Sequence, residues 1–184
     1  MNFLNPYEIG ILDWIHAHIS NPFLDIVMPV ITNFCEDGIG WILIAVVLLF
    51  FKKTRKTGIT MATALLIGLL LCNLTLKPLI GRTRPFVFNP DIELIIPQPS
   101  EYSFPSGHSV SSFEGAFSIY LYHKKWGIPA LVLAALIALS RLYLYVHYPT
   151  DVIAGCILGC LFAWMAYLLV NWCEKQWKGK HPAL

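Results

Sequence analysis

Four long apolar runs, at residues 57–76, 106–122, 127–146 and 151–172, divide the chain, with few charges inside any of them. About 20 apolar residues at roughly 1.5 Å per residue cross the hydrocarbon core of a bilayer, so each run predicts a membrane-crossing helix. Two shorter runs, 22–35 and 39–51, flank the acidic pair Glu36 and Asp37 and predict two tilted spans joined by a tight turn. Ahead of them, residues 5–20 mix Ile9, Ile11, Leu12, Trp14, Ile15 and Ile19 with Glu8, Asp13, His16 and His18, which suits a helix lying in the interface. No motif accompanies His16 and His18, which read as solvated interface residues. The expected fold is therefore all-α: a polytopic membrane helix bundle of about six segments, one domain over 1–184, opened by an interfacial amphipathic helix over 1–20. The longest segment between spans, 86–104, sets Ile92, Leu94, Ile95 and Ile96 among Pro90, Pro97, Pro99 and the acids Asp91, Glu93 and Glu101. It reads equally as a lid or rim resting on lipid and as an ordinary connector.

Composition agrees with the pattern and narrows the partners. The chain is 57% hydrophobic and 13% charged, with a mean hydropathy of +0.62, well beyond a soluble domain. A net charge of +2, in small groups between apolar runs, excludes a nucleic-acid stripe. Cys35, Cys72, Cys156, Cys160 and Cys173 lack zinc or disulfide spacing and read as small fillers, with Cys156 and Cys160 on one helix face. Residues 1–10 lack a basic region ahead of an apolar stretch, so no cleavable signal is expected. Lys52, Lys53, Arg55 and Lys56, then Lys124 and Lys125, then Lys175, Lys178 and Lys180 all fall on one side of the expected bundle, the cytoplasmic side by the usual bias. The remaining four of the 13 basic residues, Lys77, Arg82, Arg84 and Arg141, gather on the other side. A functional face there would be extracytoplasmic, in a bacterial plasma membrane.

Three clusters at span boundaries carry the candidate chemistry: Lys77-x6-Arg84-Pro85, Pro105-Ser106-Gly107-His108, and Ser140-Arg141-x5-His147-x3-Asp151. Each has a plain reading by itself. Lys77 and Arg84 suit snorkelling residues, Pro105 to His108 suits a helix start, and His147 with Asp151 suits a cap. In order, and on one face of a bundle, they combine three cations, two imidazoles and a carboxylate. Arg141 adds to this, because it stands about 14 residues into the apolar run from Gly127, at membrane depth, where a charge is costly.

Together the clusters resemble the signature of the type 2 phosphatidic acid phosphatase superfamily, similar in fold to the vanadium-dependent haloperoxidases, over the motif-bearing core 77–151. The resemblance implies that Lys77, Arg84, Ser106, Gly107 and Arg141 bind phosphate. It implies further that His147 attacks phosphorus, Asp151 supports it and His108 protonates the leaving group. Within the superfamily the short chain is similar to small bacterial enzymes acting on undecaprenyl pyrophosphate or phosphatidylglycerol phosphate.

Elementary chemistry leads to the same roles. Phosphoryl transfer spreads negative charge over equatorial oxygens, so positioning and a preformed positive field do most of the catalysis. Arginine offers a planar fork and lysine a compact charge, and a hydroxyl with amides at a helix start adds donors. Asp151, one turn beyond His147, would hold one ring nitrogen protonated so that the other presents its lone pair, giving a phosphohistidine. Two histidines and an aspartate also suit a facial metal triad, but three cations beside one carboxylate repel a divalent ion. Neither metal nor other cofactor is expected.

Two residues stand outside the clusters. Glu114, in a span about two turns past His108, is either protonated, paired with a cation such as Arg82, or part of a substrate path. Arg82 either adds a fourth phosphate contact or binds Glu114 or a lipid head group. The expected activity is removal of a terminal phosphate from a lipid phosphate or pyrophosphate, undecaprenyl pyrophosphate first. The alternatives are a phosphatidylglycerol phosphate or phosphatidate phosphatase, a lipid phosphotransferase, and a non-catalytic lipid-phosphate binding or translocating protein. The oligomeric state stays open.

Overall fold

Polar punctuation turns the apolar runs into discrete helices. The computed structural model describes residues 5–180, so the first four residues of the expected interfacial stretch and the last four of the chain lie outside it. The order is α1 (Asn5–Ile19), α2 (Pro22–Asn33), a 3-10 turn at Glu36–Gly38, α3 (Ile39–Phe50) and α4 (Arg55–Gly68). α4 continues as a π-helix at Leu69–Leu76 into the single turn α5 (Lys77–Ile80). Then follow α6 (Pro85–Phe88), α7 (Gly107–Tyr122), α8 (Lys124–Tyr143) and α9 (Pro149–Lys180). Asn21 caps α2 by accepting from the amides of Phe23 and Leu24 at 3.1 and 3.0 Å, and Ser106 caps α7 through Ser109. Proline at the first position of α2 and of α9 gives up an amide that has no helical partner there.

The helices are apolar toward the outside. Pro22–Phe50, Arg55–Phe88, Lys124–Tyr143 and Pro149–Lys180 are long and apolar enough to cross a membrane, yet only 28–39% of their most apolar windows is buried inside the protein. Leu43, Phe50, Leu66, Leu74, Ile157 and Leu168 face outward, as they should where lipid is the solvent. The shorter α7 is the centre of the bundle, packed on α4, α8 and α9. Small residues let it in: a Cβ on Gly159 would lie 2.5 Å from the Val110 carbonyl oxygen, and one on Gly155 2.9 Å from that of Ser106. On the opposite flank Gly115 accepts the Trp41 ring, whose Nε1 donates to Ser112 Oγ at 3.3 Å.

The two ends of the bundle differ in charge. At one end Lys56 pairs with Glu174 and Thr60 Oγ1 meets Tyr122 OH at 3.0 Å, which gathers the α3–α4 loop, the α7–α8 junction and the end of α9. All nine basic residues expected on one side are there. Lys77, Arg82, Arg84 and Arg141 are at the other end.

The expected span at 22–35 needs correction. The start of α2 touches the end of α8, where Tyr143 OH donates to Asp25 Oδ1 at 2.6 Å. Its last turn touches the same end, where Arg141 Nη1 donates to Thr32 Oγ1 at 2.6 Å. Just beyond it, Cys35 Sγ meets the Ser111 hydroxyl of α7 at 3.2 Å. With both of its ends at the charged end of the bundle, α2 lies across that end and does not traverse the bundle. Among the described residues, five rods therefore run from end to end: α3, α4 with its π-helical extension, α7, α8 and α9. The expected interfacial helix is α1, which also lies at this end with Tyr7, Ile11 and Trp14 exposed. It is more firmly docked than its pattern suggests, since Asn5, Glu8 and Leu12 are buried.

Candidate active site

The π-helix sets the first cation. Widening to i to i+5 bonding rotates the residues that follow, and Asn73 and Lys77 end on the wall of a cavity of about 840 Å3 at the charged end. Arg84, Gly107, His108, Arg141 and His147 share that wall. Six of the eight expected site residues thus converge from four separate parts of the chain. Ser106 and Asp151 stand behind the wall, both fully buried, and the Ser106 amide donates to the Asp151 carbonyl at 3.1 Å. Ser106 Oγ accepts from Ser109 Oγ at 3.0 Å, so it buttresses the helix start behind the glycine.

His147 lies just before α9, with Nδ1 3.5 Å from Asp151 Oδ2 and 3.4 Å from Ser103 Oγ. Ser103 donates to Asp151 Oδ2 at 2.5 Å, and the Tyr148 amide donates to the same oxygen at 2.9 Å. On the other face of the ring, Arg84 Nη1 approaches Nε2 at 3.1 Å. A guanidinium only donates, so Nε2 holds the lone pair and Nδ1 the proton. Burial pushes the His147 ring down to about 3, against the opposing pull of Asp151. The ring is therefore neutral at physiological pH. The unfolded ring takes up a proton near pH 6.5 that the folded ring refuses, so this group's contribution to stability is full above pH 6.5 and declines as pH falls toward 3. Nitrogen chemical shifts should report a neutral His147 from pH 8 down to pH 5, and a protonation midpoint near 6.5 would contradict this burial.

The cations are held by partial commitments. Arg84 Nε donates to the Glu101 carbonyl at 2.7 Å and Nη1 to the Val146 carbonyl at 2.9 Å. Arg141, in the last turn of α8, donates from Nη1 to Thr32, and its buried Nε has no hydrogen-bond partner among the described residues. The run 127–146 stops being helix at Tyr143, so Arg141 stands near a rod's end and not deep inside it. Lys77 pairs with Glu101, and that ammonium holds the Glu101 carboxyl below its ordinary range.

Arg82 departs from every alternative raised for it. Its guanidinium donates to Asp151 Oδ1 at 2.5 Å, to Thr150 Oγ1 at 2.7 Å, to Asn5 Oδ1 at 2.9 Å and to Glu8, and it stacks on Tyr148. It faces neither the cavity nor Glu114 because the fork is taken up between α1 and the start of α9. Glu114 accordingly has no partner in Arg82. Its carboxyl rests against Gly68 on the cavity wall, with Oε1 unbonded among the described residues. Below the charged groups the cavity continues between α3 and α4, past Ala45, Val46, Leu65 and Leu66, as an apolar groove. Residues 96–101 form its rim, while Ile92, Leu94 and Ile96 pack over Tyr145, Tyr148 and Val146. The segment 86–104 thus borders the cavity at 96–101 and packs on the protein before that.

Sequence reasoning missed Ser103, Asn73 and Glu8. No local signal marks them: each is a lone polar residue brought in by tertiary packing.

Residues 57–175 match the PAP2 superfamily family model, and the chain belongs to that superfamily. It is 40% identical over 132 residues to an undecaprenyl-diphosphatase of Sulfolobus acidocaldarius, a match covering 71% of this chain and 62% of the relative. It is 30% identical over 158 residues to the bacitracin transport permease protein BcrC of Bacillus licheniformis, covering 85% and 76%. Among solved structures, a transmembrane PAP2 type phosphatidylglycerolphosphate phosphatase from Bacillus subtilis superposes with a TM-score of 0.72 at 27% identity, covering 96% of this chain and 88% of that one. The protein is an all-α integral membrane protein of the PAP2 transmembrane type.

Proposed function

We propose that this protein is a lipid phosphate phosphatase that acts first on undecaprenyl pyrophosphate, by way of a phosphohistidine and without a metal ion. The observation that carries this reading is one cavity in which a neutral imidazole presents its lone pair among Lys77, Arg84 and Arg141, continuous with an apolar groove between α3 and α4. A soluble phosphate ester needs no such groove, and a pure binder needs no oriented nucleophile. The likeness to the archaeal undecaprenyl-diphosphatase favours the isoprenyl substrate, and the solved Bacillus subtilis structure makes a phosphatidylglycerol phosphate the second choice.

In the first step Nε2 of His147 forms a bond to the terminal phosphorus while the bond from phosphorus to the bridging oxygen breaks. His108 gives that oxygen its proton. Lys77, Arg84, Arg141 and the amide at Gly107 hold the equatorial oxygens. In the second step His108 takes a proton from water, the water oxygen bonds to phosphorus, the N–P bond breaks and inorganic phosphate leaves. The imidazolium formed on His147 in the first step is stabilised by Asp151. Both oxygens of Asp151 are engaged by Arg82, Ser103 and the Tyr148 amide, and the surrounding cations disfavour a divalent ion. The bias of Lys and Arg toward the opposite end of the bundle supports an extracytoplasmic site.

The test is phosphate release by the purified protein in detergent with excess chelator, comparing isoprenyl diphosphates with phosphatidylglycerol phosphate and phosphatidate. Turnover should survive chelation and be fastest on the isoprenyl diphosphate. Abolition by chelator would overturn the metal-free mechanism, and faster turnover of a glycerolipid would overturn the substrate.

A further inference from the structure

Asp151 serves one histidine, and the other has a carboxylate of its own that its sequence neighbours do not reveal. Glu36, 72 residues before His108, reaches it from the turn between α2 and α3, with Oε2 3.5 Å from Nε2. Nε2 has no hydrogen-bond partner among the described residues, and it forms its ion-pair contact with Glu36. The turn is fastened to the helix that carries the ring. Cys35 Sγ contacts the His108 carbonyl at 3.8 Å and the Ser111 hydroxyl at 3.2 Å. Asp37 and Gly38 both take positive φ, 48° and 73°, and Gly38 packs beside Ser111. A non-glycine residue in that region is strained, and here the strain turns the chain so that Glu36 faces the cavity it helps to line.

We propose that Glu36 is the positioning residue of His108: it holds the ring through Nε2 so that the proton on Nδ1 is the one passed to the leaving oxygen. This rests on the phosphatase reading above. The two histidines are then oriented on opposite nitrogens, His147 held at Nδ1 by a buried carboxylate and His108 at Nε2 by one that is 61% exposed. The charged or titratable groups around His108 are Glu36 on the turn, Lys77 on α5, Arg84 before α6, Arg141 on α8 and His147 before α9. Four of these five are cationic or become so. Bound phosphate neutralises the cations, while Glu36 is the carboxylate in ion-pair contact with the ring among the described residues.

The consequence depends on what leaves. A lipid monophosphate expels an alkoxide, a strong base that needs its proton in the transition state. A lipid diphosphate expels a phosphate monoester, a weak base that leaves with little help and whose charge Glu36 repels. Glu36 should therefore raise the rate of phosphoenzyme formation, read as kcat/KM, on monophosphates and not on diphosphates, while the later attack of water on the phosphoenzyme is common to both.

The experiment compares wild type, Glu36→Gln and Glu36→Asp on an isoprenyl monophosphate, the matching diphosphate and p-nitrophenyl phosphate. Glu36→Gln should lower kcat/KM on the monophosphate roughly tenfold, a fraction of what full general-acid catalysis supplies, and change kcat/KM on the other two by less than about twofold, since this ratio reports phosphoenzyme formation and not its hydrolysis. The alkaline limb of its kcat/KM profile on the monophosphate should move to lower pH, because losing the adjacent carboxylate weakens the protonated ring. Glu36→Asp should restore part of both. Equal loss on all three substrates, no loss on the monophosphate, or an unmoved alkaline limb would overturn the assignment. His147→Ala separates the two levels: if it is inactive while the Glu36 selectivity is absent, only this inference fails, and if it is active the phosphohistidine reading fails first.

Discussion

His147→Ala should lose at least about 10^4-fold in kcat, the scale on which removal of an oriented nucleophile or its base acts, with its fold intact. Alanine leaves a void where the ring was, yet the helices around it are held elsewhere, by Gly155 and Gly159 against α7 and by Arg82 against Glu8 and Asp151. Rapid quenching of wild type with labelled substrate should trap a phosphoenzyme that is labile to acid and stable to alkali, as an N–P bond is, and the variant should trap none. Chemistry that ran by direct attack of water on the substrate would leave the wild type unlabelled and the variant partly active. Either result removes His147 as nucleophile.

The second large effect is on stability. Arg82 is 2% exposed and joins two buried carboxylates, Glu8 of α1 and Asp151 of α9. Arg82→Ala leaves both without their cation, and a buried pair broken on one side costs about 3–5 kcal/mol. For a protein of this size that corresponds to a fall in Tm on the order of 10 °C, read by thermal unfolding in detergent. Activity measured at low temperature should also fall, through kcat and not KM, because Asp151 loses its positioning while the phosphate contacts stay. Adding Glu8→Gln to Arg82→Ala should recover part of the stability by removing one uncompensated charge, a coupling that a double-mutant cycle isolates. A Tm within about 1 °C of wild type would mean that the carboxylates find other partners or protonate at little cost, and a selective rise in KM would return Arg82 to the phosphate.

The apolar runs and the three clusters made most of this architecture legible. Period and length suffice for rods that cross a bilayer, and chemistry at their ends survives in the sequence because each cluster is local. Residues 22–35 show where that reasoning stops. Their hydropathy is that of a short span, and what lays α2 across the end of the bundle is a set of contacts from Asp25 and Thr32 to Tyr143 and Arg141, far along the chain. Arg82 was misjudged for a related reason. Its neighbours Lys77 and Arg84 face the cavity, but Gly81, in the left-handed conformation at φ 58°, turns the chain so that the next residue points behind the wall. Glu36 was visible only as half of an acidic turn, since no spacing rule relates it to position 108.

The bond from Thr150 to Glu8, 142 residues apart, is among the longest in sequence separation, with the backbone amide and hydroxyl donating at 2.8 and 2.7 Å. During synthesis α1 can meet Arg82 and α8 as soon as they are made, but the Thr150 donors reach Glu8 only once the start of α9 has emerged. The carboxylate behind the His147 ring is thus fastened late, after the rods that carry Lys77, Arg84, His108 and Arg141 have already been made.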